Sequence, residues 1–342
     1  MEFLFVYGLF LAKAVTIVVA IVVVVGLIVG MAAKQKQSGG NLEFESLSEH
    51  FDDIKSQAQH VLLDKEQLKK LEKEEKREKK AKSKSSSKDE KKKHNMFVLN
   101  FSGSMNAQEV DTLREEITAI LCVAEANDEV LVNVESGGGV VHGYGLCASQ
   151  LQRIKDKNIK LTVSVDKVAA SGGYMMACVA DHIISAPFAI IGSIGVIAQL
   201  PNFNKVLKKN DIEFEQHTAG NFKRTLTMFG ENTQEGRDKF KEEIEDVHVM
   251  FKDFVQQHRP SLHIEKVATG EYWYGQRAKE LALVDELKTS DDFLMEANDE
   301  FRLFNIKYAT KKTLAQKLGF SAYKAIEQTF MRLVDAGNKL YR

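Results

Sequence analysis

The feature that most constrains this chain is an alternation. Beyond residue 97, apolar runs too short for helices take turns with stretches of helical period. Phe97 to Phe101 reads as a strand and Val110 to Ala126 as a helix. Val130 to Val134 is a buried-type strand that runs through Glu135 into the turn Ser136-Gly137-Gly138-Gly139, and a helix follows through Tyr144, Leu146 and Leu151. Leu161 to Val165 is a further strand, and a second small-residue turn, Ala169-Ala170-Ser171-Gly172-Gly173, opens an apolar helix through Met175, Met176, Ala177 and Cys178. Strands are also expected at Ile183 to Ala186 and Ile212 to Gln216, and a long helix from Thr233 to His258. Strands separated by helical crossovers must lie largely parallel, so the expected class is α/β. Alternation alone does not choose between this and a Rossmann-type sheet.

The flanks are different in kind. From Ala14 to Ala33 there are 20 residues without a charge, rich in Val and Ile, which is the length of a hydrocarbon core. A cleaved signal peptide would have a shorter apolar core, so 1–33 is expected to be a retained transmembrane anchor. Lys13 and the amino terminus on one side balance Lys34 and Lys36 on the other, and charge leaves the orientation open. Residues 34–94 pass into Lys/Glu/Ser low complexity between Lys69 and Lys93, the composition of a helical or disordered linker. The globular domain is then expected over 95–302. Residues 303–342 are strongly basic with apolar residues at helical spacing, a helical extension that docks on the domain or lies on anionic lipid. A net charge of -1 argues against a nucleic-acid partner. Cys122, Cys147 and Cys178 lie in apolar helical stretches, read as core residues, and fit no zinc-ligand spacing.

Two segments carry chemistry. Ser171 sits where a strand turns into a helix, beside unpaired N–H groups able to stabilise an oxyanion. A serine hydroxyl needs a base, and Lys223 in Gly220-Asn221-Phe222-Lys223 is flanked by Phe222 and Leu226, as a lysine kept dry would be. Each feature alone is more often a helix cap or a solvated lysine. A histidine base is the rival chemistry. His182 reads as a turn residue, His142 and His217 as lone residues near strand ends, and His217 lies nearest in sequence to Lys223.

The order of these parts, with Gly192-Ser193-Ile194-Gly195-Val196 and Gly275-Gln276-Arg277-Ala278 after them, resembles the signal peptide peptidase A family of Ser-Lys peptidases, in its membrane-anchored branch. The resemblance covers roughly 96–303. It implies a ClpP/crotonase-like domain, Ser171 as nucleophile, Lys223 as general base, and an oxyanion hole at Gly138 with the Gly172 N–H. It implies no metal and no cofactor. Peptides or unfolded proteins would be the substrates, the chain would form a homo-oligomer, and the setting would be a bacterial inner membrane with the catalytic domain in the periplasm. The later motifs read as structural. The chain departs from the family in lacking a proline at Gly137, which is expected to loosen that loop, and in having Ala282 where the family has glycine. Two other classes fit the same residues: a catalytically silent membrane scaffold and a crotonase-like acyl-CoA enzyme.

Overall fold

The structure, a computed structural model, describes residues 40–71 and 93–309, with isolated positions at 8, 11, 13, 15, 16, 73 and 77. Apart from Val15 and Thr16, the expected anchor at 14–33 lies outside the described residues, as does the basic extension past 309. Among the described residues no helix is long and apolar enough to cross a membrane. Residues 42–307 form one compact unit; 1–41 with 308–342 cluster separately, and there the Gly40 N–H donates to Tyr308 Oη at 2.7 Å.

In chain order the elements are β1 (Asn41–Ser46), α1 (Leu47–Leu62), β2 (His94–Ser102), α2 (Val110–Val123), β3 (Glu129–Glu135), α3 (Val141–Lys155), β4 (Lys160–Val165), β5 (Val168–Ala170) and α4 (Gly172–Ala177). There follow β6 (His182–Ser185), β7 (Ile190–Gly192), α5 (Asn204–Lys209), α6 (Gln234–His258), α7 (Ile264–Val267), β8 (Tyr272–Tyr274), α8 (Gly275–Glu280), β9 (Glu286–Leu287), α9 (Ser290–Glu300) and β10 (Phe301–Ala309). A seven-stranded sheet runs β1-β10-β2-β3-β4-β6-β9, and a smaller one runs β5-β7-β8. The pairs from β10 through β9 are parallel, as the alternation required.

Strand alternation divides the core in two. Phe97, Leu99 and Phe101 of β2 face one side with Val130, Val132 and Val134 of β3, where α2, α3 and α4 cover them. Met96 and Val98 face the other, with Leu131, Leu294 and Leu303, and Leu47 and Phe51 of α1 close over that cluster. Each such fully buried aliphatic side chain stabilises the fold by about 2 kcal/mol. The cover on the second face runs out toward the strand ends. There the residues turn polar, and Asn133 donates to Asn100 and Asn100 to Asn305 in a ladder across three strands.

This arrangement moves two expected boundaries. The segment 34–94 supplies an edge strand and a covering helix, because Leu47 and Phe51 are enough to seal one face. The boundary at 302 falls inside β10, whose Leu303 and Ile306 are buried although Arg302 and Lys307 point outward. Ile212 to Gln216 is not a strand; it is exposed with no neighbour to pair with, and Phe214 rests against Phe229. Cys147 and Cys178 are buried as expected, and burial pushes the Cys147 thiol up to about 12, but Cys122 is exposed.

Arg259, which caps α6, grips Asp285 through two bonds of 2.9 and 2.6 Å, and its Nη2 also reaches the Ala282 carbonyl at 3.1 Å. Ala282 holds φ at +62°, a left-handed backbone that costs an alanine about 1 kcal/mol and explains why glycine suits this position. Burial pushes the Asp285 carboxyl up, but Arg259 and the Ile183 N–H outweigh it and hold the carboxyl below its ordinary range. A depressed folded value stabilises at neutral pH, and the contribution is lost as pH falls through that value. Asp285→Asn should therefore cost about 3 kcal/mol near pH 7 by leaving Arg259 unpaired. In urea titrations the gap to wild type should narrow below about pH 4; a gap that is constant with pH would rule this out.

Candidate active site

Ser171 ends β5 and precedes α4, with φ of 52° and ψ of -117°. Few residues other than glycine occupy such a backbone region, and holding one there costs on the order of 1–3 kcal/mol. What holds it is a set of bonds on both sides: the Ser171 N–H donates to the Gly192 carbonyl at 2.7 Å, and the Ser171 carbonyl accepts from Met175 at 2.9 Å. The hydroxyl makes no capping bond to the helix, so it stays free at the tip of the turn. A strained strand-to-helix turn of this kind presents a nucleophile outward.

The glycine turn after β3 lies directly against it. The two are registered by a single bridge, in which the Ser136 N–H donates to Val168 O at 2.8 Å and the Ala170 N–H to Ser136 O at 3.0 Å. Gly138 has φ of +86°, and a Cβ there would come within 2.7 Å of both the Gly172 nitrogen and Ser171 Cβ. Only glycine permits that approach. The Gly138 N–H itself donates to Ser136 Oγ at 3.1 Å. The N–H groups of Gly139 and Gly172 have no hydrogen-bond partner among the described residues. On this turn the Gly138 N–H is thus engaged by Ser136, whereas the Gly139 N–H at the shared rim of the clefts is not. The turn is also better fixed than a proline-free loop suggested, since Ser136 Oγ, 2.5 Å from Tyr144 Oη, ties it to α3.

Ser171 lies on the shared rim of two clefts. One, of about 460 Å³, is walled by Val141, Met175, Val247, Met250, Phe251 and Phe254, an apolar side-chain pocket. The other, of about 660 Å³, is more polar and includes Met105, Gly138, Ser193, His248 and Thr269. Gly139, Val141, Gly195, Val196 and Ile197 border both. Gly192 to Val196, expected to be structural, thus anchors Ser171 and lines the groove on either side of it. Gly275 is structural, since a Cβ there would collide with the Ala186 carbonyl.

Lys223 is elsewhere on the surface. It is exposed and lines neither cleft. Its segment is attached to the start of α6, where Phe222 lies 5.6 Å from the Lys239 ammonium, while the Ser171 cleft begins at Val247. Those two positions are eight residues apart on one helix, roughly 12 Å along its axis. The dry surroundings expected from Phe222 and Leu226 are not provided within one chain, because Phe222 is itself exposed. Of the three histidines considered above, His142 and His217 are exposed and His182 is taken up by Asp285 and Glu286. His248, in the middle of α6, was legible only as one polar residue of an amphipathic helix; it borders the second cleft, and its Nε2 is buried without a partner among the described residues.

The descriptions "Peptidase family S49 N-terminal" and "Peptidase family S49" match residues 2–151 and 153–304. The chain is 53% identical over 324 residues to "Probable protease SohB" of Haemophilus influenzae, covering 92% of both. It is 48% identical over 333 residues to the protein of that name from Buchnera aphidicola of Acyrthosiphon pisum, covering 97% and 98%. The "Putative protease SohB" of Buchnera aphidicola of Baizongia pistaciae is 43% identical over 352 residues. A solved membrane-bound stomatin-specific protease aligns with 60% of the chain at 14% identity and a TM-score of 0.41.

Proposed function

Because the chain belongs to peptidase family S49 and is on that ground a peptidase, we propose that it is an endopeptidase whose nucleophile is Ser171 and whose base is Lys223. The observation that carries this is the meeting of the strained Ser171 turn with unpartnered glycine N–H groups on the rim of two clefts.

In this reading Ser171 Oγ attacks the carbonyl carbon as its proton passes to the Lys223 amine. The carbonyl π electrons move onto oxygen, which accepts hydrogen bonds from the Gly172 and Gly139 N–H groups. As the intermediate collapses the C–N bond breaks, and the lysine ammonium returns its proton to the leaving amine. Water then repeats the sequence on the acyl-serine, with lysine again as base, and frees the carboxylate and Ser171. The open groove suits an extended, unfolded peptide, and the Val141, Met175 and Phe254 pocket suits an apolar side chain next to the scissile bond. The crotonase-like and scaffold readings have no comparable support from the relatives.

A lysine base must reach the serine, and the single chain keeps them apart. The surface around Lys223 indicates how. Ile197, Val206, Ile212, Phe222 and Phe229 are all exposed, and Ile197, with the exposed Met250, also lines the apolar cleft. Exposed apolar area on that scale belongs in an interface. We take the occupant to be a second copy of the chain, whose Lys223 segment would cover the cleft of its neighbour and be dried by it. The setting that fits such an enzyme is a bacterial inner membrane, with residues 14–33 as anchor and the catalytic domain in the periplasm.

A fluorophosphonate probe tests the nucleophile and identifies the base together. Wild type should be labelled and Ser171→Ala should not, and Lys223→Ala should be labelled far more slowly because the serine proton has no acceptor. A second reading, with His248 as base, has its unpartnered Nε2 beside the cleft in its favour. It requires labelling to be lost in His248→Ala and retained in Lys223→Ala. Absence of labelling would leave the silent scaffold and the crotonase-like reading.

A further inference from the structure

Tyr144 touches both walls of the site. A Cβ on Gly172 would run into its ring, so the first residue of α4 lies flat on Tyr144. Its hydroxyl donates to the Ser104 carbonyl at 2.8 Å and is 2.5 Å from Ser136 Oγ, which in turn accepts the Gly138 N–H at 3.1 Å. The direction of this chain is fixed by its end. A carbonyl can only accept, so the Tyr144 proton goes to Ser104 and the Ser136 proton must go to Tyr144 Oη, leaving a Ser136 lone pair for Gly138. Tyr144 is fully buried and Ser136 is 2% exposed, so no solvent competes for these bonds. Burial pushes the phenol up, though Ser136 opposes it, and the group stays protonated as the relay requires.

We propose that Tyr144 and Ser136 are positioning residues of the catalytic reaction, setting the distance between the Gly138–Gly139 turn and the Gly172 N–H at which the substrate oxyanion is held. This rests on Ser171 being the nucleophile. Without the relay the Gly138 N–H is unpaired, and Gly137 to Gly139 are held only at their ends, by the Ser136 backbone bridge and the Val140 N–H bond to the Met105 carbonyl, so the turn between can shift relative to Ser171. The ring contact alone would still hold Gly172. Both donors bind the oxyanion and neither binds the ground-state carbonyl as well, so the loss falls on the chemical step. The helix pattern made Tyr144 look like one more core residue of α3, and Ser136 like a turn residue.

The test uses the full chain in detergent micelles and the variants Tyr144→Phe, Ser136→Ala and the double variant. It reads kcat and KM on an apolar peptide substrate, with inhibition by a leucyl-leucyl aldehyde and by the alcohol of the same sequence. The aldehyde forms a hemiacetal with the serine and places an oxygen in the oxyanion position; the alcohol cannot. Each single variant should lose roughly 10- to 100-fold in kcat, less than removal of a whole donor, with KM little changed. Aldehyde inhibition should weaken in parallel and alcohol inhibition should not. The double variant should be no worse than the worse single one, because both break one chain. Wild-type kcat in folded variants, losses confined to KM, or losses that multiply in the double variant would each overturn the proposal. So would failure of both single variants to fold, which would make the relay a prop of the core. Ser171→Ala runs alongside: activity there would remove the nucleophile itself, whereas a dead Ser171→Ala beside an unimpaired Tyr144→Phe removes only the relay.

Discussion

Ser171→Ala should lower peptide hydrolysis by at least about a thousand-fold while the protein melts at or near the wild-type temperature. The size follows from losing covalent catalysis altogether, the residual rate coming from the N–H donors and substrate binding. The fold should survive because the strained turn is fixed by backbone bonds from Ser171 to Gly192 and Met175, and the hydroxyl takes no part in them. Lys223→Arg should be nearly as damaging. Arginine keeps the charge and the reach but cannot be deprotonated, so it cannot take the serine proton. Hydrolysis by purified Lys223→Arg at more than about a tenth of the wild-type rate would remove lysine from the mechanism and bring His248 forward.

Mixing the two dead proteins should bring activity back. If Lys223 serves the Ser171 of a neighbouring copy, an assembly containing Ser171→Ala and Lys223→Ala chains holds some sites with both groups intact. Co-expressed subunits should then recover a measurable fraction of wild-type turnover from a background of almost none. The argument is geometric: in one chain Lys223 lines neither cleft, its neighbour Phe222 rests on Lys239, roughly 12 Å along α6 from Val247, and the segment is exposed and rich in uncovered apolar side chains. Co-purification of the two variants in one assembly with no recovery would confine the pair to a single chain. A fully active monomer would contradict the interface altogether.

The central architecture was legible because its signals are strong ones. Val130 to Val134 is apolar on both faces but for Asn133, Leu161 to Val165 carries only the small polar Thr162 and Ser164 on its second face, and each run is followed by a glycine turn and then a helical period, the pattern of a covered parallel sheet. Ser171 could be singled out because small residues crowd around it for a steric reason that the Gly138 and Gly172 contacts bear out. Less could be read at the edges. In β1 and α1 only a few apolar residues meet the core, and their charged neighbours read as linker. In β10 the solvent-facing Arg302 and Lys307 masked the inward Leu303 and Ile306. Ile212 to Gln216 has the alternation of a strand but no edge to join, and no local pattern carries that information. The relay from Gly138 through Ser136 to Tyr144 and Ser104 joins residues whose relation depends on angstrom-scale geometry, beyond the reach of composition or spacing.

The lone bridge between Ser136 and Ala169 has a thermodynamic consequence. The Gly138–Gly139 turn follows a strand of the large sheet, and Ser171 follows a strand of the small one. In the proposed reading the catalytic geometry thus lies at the seam between two sheets of one compact unit, and neither sheet alone contains it. Local opening at such a seam takes less free energy than unfolding either sheet. Under mild heat or denaturant turnover should therefore fail before the secondary structure does, which parallel activity and far-UV circular dichroism melts would read; coincident loss of the two would contradict it.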